Sequence, residues 1–210
     1  AIVCAPESHS AMCAARKAGA PQCEKAEREG FSADLCSYAR IDLGTVFDRG
    51  QGSPTMGLPR PDLLISNNDN CSLLTKWFDV YHRELGVPHF MLDVPFCYRP
   101  QQEKDLNYIL HQFHDLIRLI EELSGQKFDC DRVREAVRES NEALKHWVRF
   151  LGLAAHRPSG NTAFDSFAHM APYFTWLRGE PEMTAHYRML AEETEADMAA
   201  GKYPVPNEKY

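Results

Sequence analysis

Between Asp62 and Val94 the chain carries two short apolar runs, Asp62 to Ser66 (DLLIS) and Val87 to Val94 (VPHFMLDV), on either side of a segment with helical spacing. Runs of that length bounded by turn residues read as buried strands. The helical period from Cys71 to about Leu85, stopped by Gly86, reads as a helix. Strand, helix, strand with short polar links predicts a parallel pair with a right-handed crossover. Ligands of such sheets bind at the carboxyl ends of the strands, which singles out the turn Asn67-Asn68-Asp69-Asn70 directly before Cys71.

The N-terminal segment reads in the same way. Residues 1–5 (AIVCA) form an apolar run ended by Pro6, predicting a first strand, and a helix follows from about Ser10 to Arg28, stopped by Gly30. Asp34 stands where an N-cap would sit before Leu35, Tyr38, Ile41 and Leu43, with Gly44 near the end of that second helix. Arg49 to Pro61 is dense in Gly and Pro without periodicity and reads as a loop.

From about Gln101 the period changes. Leu106, Ile109, Leu110, Phe113, Leu116, Ile117, Ile120 and Leu123 recur at spacings of three and four, and Val133, Val137, Leu144, Val148 and Leu151 continue them beyond a turn at Ser124-Gly125. Further helices are expected over Thr162 to Leu177 and Pro181 to Ala200, and Lys202 to Tyr210, with two prolines, reads as a linker. The fold class expected is therefore α/β: a short parallel sheet with flanking helices in a Rossmann-like three-layer portion over residues 1–98, a helical portion over 99–201, and a linker over 202–210 towards a further domain.

Composition narrows the function. At 44% hydrophobic and 25% charged residues over 210 positions the chain is globular rather than disordered, and its net charge of −7 repels a polyanion, so no nucleic-acid partner is expected. No apolar stretch approaches the roughly 20 residues of a membrane span, so no membrane partner is expected either. Seven cysteines, at positions 4, 13, 23, 36, 71, 97 and 130, are an odd number spread through the chain and make a poor disulfide framework. A reducing, cytoplasmic setting follows, in which the formal glycosylation match Asn70-Cys71-Ser72 is empty.

Cys71 begins a predicted helix at a strand's carboxyl end, where unpaired N–H groups and the helix dipole favour a thiolate. Cys36 begins the neighbouring helix, and two such thiolates at one sheet edge suit a shared metal. On these residues alone the signal is weak: the local spacing of zinc or iron–sulfur sites is absent, and a lone cysteine is more often a small buried hydrophobe. Cys23 and Cys130, on helical faces, read as packing residues; Cys4 and Cys13 flank Glu7 and His9 and stay open. The turn Pro6-Glu7-Ser8-His9 offers a carboxylate and an imidazole for proton transfer, against the plain alternative of a helix start capped by Ser8 or Ser10 with Glu7 favoured by the dipole. His111, His114 and Asp115 read as an exposed helix face. No Walker sequence, Gly-x-Gly-x-x-Gly or Gly-x-Ser-x-Gly occurs.

Five blocks, PESH at Pro6 to His9, GFSADLCSYARIDLG at Gly30 to Gly44, PRPDLLISNNDNC at Pro59 to Cys71, KWF at Lys76 to Phe78 and GVPHFMLDVPF at Gly86 to Phe96, closely resemble the 2-hydroxyacyl-CoA dehydratase and benzoyl-CoA reductase family. SGQKFD at Ser124 to Asp129 and the closing PVPNEKY extend the likeness, which covers the chain but only part of a family member. The resemblance implies an iron–sulfur enzyme of two related subunits, each holding a [4Fe–4S] cluster through three cysteines and receiving one electron from an ATP-dependent activator. The family's first two cluster cysteines fall on Cys36 and Cys71; the third ligand belongs to a later domain. The glutamate of its Pro-Glu-Asn block falls on Glu7, a candidate for proton transfer, with Ser8 in place of the common Asn, and the turn before Cys71 carries one extra residue.

The implied reaction removes water from a 2-hydroxyacyl-CoA to give a 2-enoyl-CoA. One electron added to the thioester carbonyl gives a ketyl radical that expels the α-hydroxyl group and acidifies the β-proton. An iron without a cysteine ligand would hold the substrate oxygen as a Lewis acid. The alternatives are reduction of an aromatic acyl-CoA of the benzoyl-CoA reductase type, and a non-catalytic subunit that relays electrons.

Overall fold

The computed structural model describes residues 2–174, 177–205 and 207–209. It is mostly helical around a small parallel sheet and divides into two compact units, Pro6–Phe128 and one built on the residues from Asp129 onward together with residues 2–5.

In the first unit, α1 (Pro6–Ala15), α2 (Gly19–Arg28) and α3 (Ser37–Phe47) precede β1 (Leu64–Asn67), α4 (Ser72–Leu85), β2 (His89–Leu92) and α5 (Glu103–Ser124). The strands pair in parallel with Leu64 opposite His89 and Asn67 opposite Leu92. Between them α4 is ended by Gly86, whose left-handed φ of 61° lets its N–H return to the His82 carbonyl at 2.9 Å. Ala39 and Leu43 of α3, Leu64 of β1, Trp77 and Tyr81 of α4, and Val87 make the core of this unit. The long α5 packs on β2, and a capping box between Gln102 and Asp105 starts it.

Several expectations change. Residues 2–5 form no strand; Ile2 and Val3 are exposed, and with no strand beside it a five-residue run has no ladder to join. The sheet has two strands among the described residues, and only one face of β1 is buried: Ile65 and Met91 stay 46% and 45% exposed, so the apolar run does not mark a strand covered on both sides. The expected helix from Ser10 to Arg28 is two helices, starting at Pro6 and broken where Lys17 turns to φ 58°. The N-cap of α3 is Cys36, not Asp34. Ser10 does not cap; its hydroxyl donates to the Tyr38 carbonyl at 2.7 Å.

Gly44 lies inside α3, not at its end, and is there because α2 crosses against it. A Cβ at this position would sit 1.9 Å from the Gln22 carbonyl oxygen.

In the second unit α6 (Cys130–Gly152) pairs with α9 (Pro181–Ala199), burying Ala143, Met183 and Tyr187 with Trp147, Tyr173, Leu177 and Leu190 around them. Trp147 stacks on Phe150 at 5.5 Å and tilts against Tyr187 at 5.0 Å, while the Tyr187 hydroxyl donates to the His169 carbonyl at 2.9 Å. The helix expected over Thr162 to Leu177 is α7 (Ala163–His169) followed by the short α8 (Ala171–Phe174); Thr175 and Trp176 lie outside the described residues. The stretch expected as a linker has no regular structure where it is described, and Glu208 accepts a hydrogen bond from the Ser159 N–H.

Gly44→Ala should lower stability by about 1–3 kcal/mol through overpacking against the α2 backbone. Gly86→Ala, which strains only an αL cap, should cost about 1 kcal/mol. Denaturant midpoints of the two variants check the order; equal shifts would mean that α2 yields without cost.

Candidate functional site

Helices α3 and α4 run in the same direction. Asp42 of α3 bonds Trp77 and Tyr81 of α4, and Phe47 at the far end of α3 lines a hollow with Val80, Arg83 and Glu84 of α4. Later residues of one thus meet later residues of the other. Cys36 precedes Asp42 by six residues and Cys71 precedes Trp77 by six, so each lies about 9 Å back along its helix at 1.5 Å per residue. Cys36 and Cys71 are thus the N-caps of two helices that run alike and are joined through Asp42. The start of α4 follows the carboxyl terminus of β1.

Both cap residues are extended, Cys36 at ψ 129° and Cys71 at ψ 126°, and neither side chain closes onto its own helix. Both thiols are free and exposed. Open first-turn N–H groups and uncommitted sulfur are what a metal ligand at a helix terminus needs. No group of three or more His, Cys, Asp or Glu residues able to hold a metal converges among the described residues. The donors present thus fit two of the three cluster ligands that the resemblance implies, and the third has to come from outside these residues.

The sheet edge beside Cys71 is braced. Asn68, after β1, donates its amide to the Asp93 carboxylate after β2 and accepts the Val94 N–H at 2.7 Å. Asp93 also accepts the Tyr108 hydroxyl at 2.7 Å, and its backbone exchanges two bonds with the Gln112 amide, at 2.7 and 2.9 Å, which fastens α5 to the same edge. The neighbouring Asn67 keeps a buried side-chain oxygen without a partner among the described residues.

Glu7 lies in the first turn of α1, half-buried, and makes no hydrogen bond or ion pair among the described residues. Its charge acts on Tyr81, whose hydroxyl is pushed far up, first by burial, then by the charge and hydrogen bond of Asp42, and last by Glu7. Tyr81 is ten residues beyond Cys71 in α4, about 15 Å along the helix. Glu7 belongs to the same unit as the two thiols, on the helix whose His9 bonds Asp42.

Sequence reasoning missed the centre of this arrangement. Asp42, 1% exposed, accepts from Trp77 Nε1 at 2.9 Å and from the Tyr81 hydroxyl with one carboxyl oxygen, and from His9 Nδ1 at 2.8 Å with the other. His9, 3% exposed, then takes the Ser53 hydroxyl on Nε2 at 2.9 Å, the tautomer being assigned from this bonding pattern. The available signal was a carboxylate set between Ile41 and Leu43 in an otherwise apolar turn. Cys13 is buried against His9, with burial pushing its thiol up. Cys23 is half-buried, but Cys130 is exposed at the start of α6 and does not pack, because the first turn of that helix lies outside its core. Cys4 and Cys97 are exposed, as are His111, His114 and Asp115.

Comparison with known proteins gives the family. A family model described as 2-hydroxyglutaryl-CoA dehydratase, D-component, matches residues 2–210, and the chain belongs to that family. It is 37% identical to the (R)-phenyllactyl-CoA dehydratase alpha subunit of Clostridium sporogenes, over 94% of this chain and 48% of the relative. It is 36% identical to the (R)-2-hydroxyisocaproyl-CoA dehydratase alpha subunit of Clostridioides difficile, with the same coverage. It is 31% identical to a benzoyl-CoA reductase subunit of Thauera aromatica, over 97% of this chain and 48% of that one. The chain therefore spans about half the length of these relatives. No described helix is long and apolar enough to cross a membrane.

One pH effect follows from the sheet. His89 bonds Ser66 at 2.8 Å, and burial, then the neighbouring His82, hold its imidazole below the usual histidine range. The unfolded chain takes up that proton more readily than the folded one. The contribution is therefore full above the unfolded value of about 6.5 and is lost as pH falls below it. Urea midpoints at high and low pH should show this decline, and His89→Gln, whose amide reaches the Nε2 position, should flatten it; an unchanged slope would remove His89 from the account.

Proposed function

We propose that this chain is part of the cluster-bearing subunit of a 2-hydroxyacyl-CoA dehydratase, which eliminates water from a 2-hydroxyacyl-CoA by a radical route. The observation that carries the reading is the pair of uncommitted thiols, Cys36 and Cys71, on N-caps at one end of α3 and α4. The names of the relatives support the reaction class, and four of them, being named as alpha subunits, support a second, related subunit as partner. An ATP-dependent activator, an acyl-CoA substrate and a cytoplasmic location complete the proposal.

The β-proton of a saturated acyl thioester is barely acidic, so an ordinary base cannot start the elimination. A [4Fe–4S] cluster bound here would supply single-electron chemistry and Lewis acidity towards the substrate. Cys36 and Cys71 hold that group as thiolates, and the partial positive charge of two helix N-termini favours the negative ligand set. Glu7, half-buried and without a bonded partner among the described residues, has its oxygens available to take or return a proton. The benzoyl-CoA reductase relative favours a second reading, reduction of an aromatic acyl-CoA with the same ligands.

The full-length protein, reconstituted anaerobically with its partner and activator, tests this. Cys36→Ala and Cys71→Ala should each lose the iron–sulfur absorption and most of the iron; a full iron complement in both overturns the ligand assignment. Glu7→Gln should keep its iron and lose about 10²-fold or more in turnover, whereas undiminished turnover assigns the proton elsewhere. Turnover of 2-hydroxyacyl-CoA rather than benzoyl-CoA selects the first reading, and turnover of neither selects an electron relay.

A further inference from the structure

The Asp42 carboxyl group is costly where it lies. It is 1% exposed, so no bulk water reaches it, and no Lys or Arg pairs with it among the described residues. Burying such a group stabilises less than an apolar side chain of similar size. What it provides is direction. Its two oxygens receive three donors from two other helices: His9 of α1, and Trp77 and Tyr81 of α4. Hydrogen bonds fix both the rotation and the sliding of a helix against its neighbour, whereas apolar contact tolerates repacking. A slip of α4 by one residue relative to α3 would break the rung and displace its N-cap by about 1.5 Å.

The offsets turn this rung into a gauge. Asp42 and Trp77 each follow their N-cap cysteine by six residues, and His9 follows Glu7 by two. We infer that Asp42 is a positioning residue: by locking α1, α3 and α4 at one level, it sets the spacing of the Cys36 and Cys71 thiols and the placement of Glu7. The inference rests on the ligand reading above and adds the residue that makes the ligand spacing reproducible. The arm from His9 to Ser53 pins the loop after α3 and leads away from the caps, which supplies an internal control.

The test uses the full-length, reconstituted complex and reads thermal melting, the rate of iron loss to a chelator, and the electron paramagnetic resonance spectrum of the reduced cluster. Asp42→Asn should melt cooperatively at a lower temperature, lose iron several-fold faster and show an altered spectrum. Trp77→Phe, which removes one donor while keeping an aromatic side chain, should change the spectrum and the iron-loss rate in the same direction but less. Val87→Ala, in the same core but bonded to none of these groups, should melt early with native spectrum and iron retention. Ser53→Ala should match the wild type in both iron readouts. Native spectra and iron retention in Asp42→Asn overturn the inference; if that variant fails to fold, a native signature in Trp77→Phe overturns it equally. If Cys36→Ala and Cys71→Ala keep their iron, the ligand reading falls and this inference falls with it. Loss of iron in those two beside a native Asp42→Asn signature overturns this inference alone.

Discussion

A carboxyl group held away from water must find its partners inside the protein, and for Asp42 those partners lie on two other helices, α1 and α4. The requirement reaches through the first unit. It explains why Trp77 and Tyr81 turn polar tips inward while their rings fill the core with Leu43, Leu64 and Val87. It also explains the buried His9 on α1. Packing and polar satisfaction here are one constraint, since the side chains that fill the space also bond the carboxyl.

The parts of the fold legible in the sequence were those with a local cause. Periodicity and stop signals located α4, β2 and α5 to within a few residues, because Gly86 and Gly125 end helices through their own backbone freedom, at φ 61° and 67°. The parts that failed had a distant cause. The apolar residues before Pro6 read as a strand, but a strand exists only if another edge accepts it. Ile65 falls in a run that read as a buried strand, because the pattern records apolarity and not what covers it. That Cys36 and Cys71 stand at helix starts was legible because helix starts are local features. The Asp42 bonds were not, because its partners are 33 to 39 residues away along the chain.

The same distinction applies to α5 and α6. The amphipathic stripe of α5 was read from spacing alone, yet Leu106, Leu110, Phe113, Ile120 and Leu123 remain substantially exposed, as do Val133, Val137 and Val148 on α6. Spacing predicts that a helix has an apolar face; it does not supply the surface that covers it. In a chain spanning about half the length of its relatives, a well-formed helix with an uncovered stripe is no contradiction, since local propensity, capping and i,i+3 ion pairs such as Arg118 with Asp115 act without that surface.

Electron and proton chemistry make opposite demands on a protein, and the proposed function assigns them to residues on different helices of the first unit. A metal ligand must be deprotonated and reachable, which suits Cys36 and Cys71 on exposed caps where the backbone offers unpaired N–H groups. A proton-transfer carboxylate needs oxygens free of a fixed partner, and Glu7 is half-buried with no hydrogen bond or ion pair among the described residues. Placing the two kinds of group on separate helices would leave their separation to chance unless something rigid joined those helices. Apolar contact alone permits small slips, and a slip of one residue moves an N-cap by about 1.5 Å, well beyond the roughly 0.2 Å tolerance of metal–ligand distances. Directional bonds to a single buried acceptor remove that slack, which gives a physical reason for a carboxylate at position 42 where a leucine would pack at lower cost.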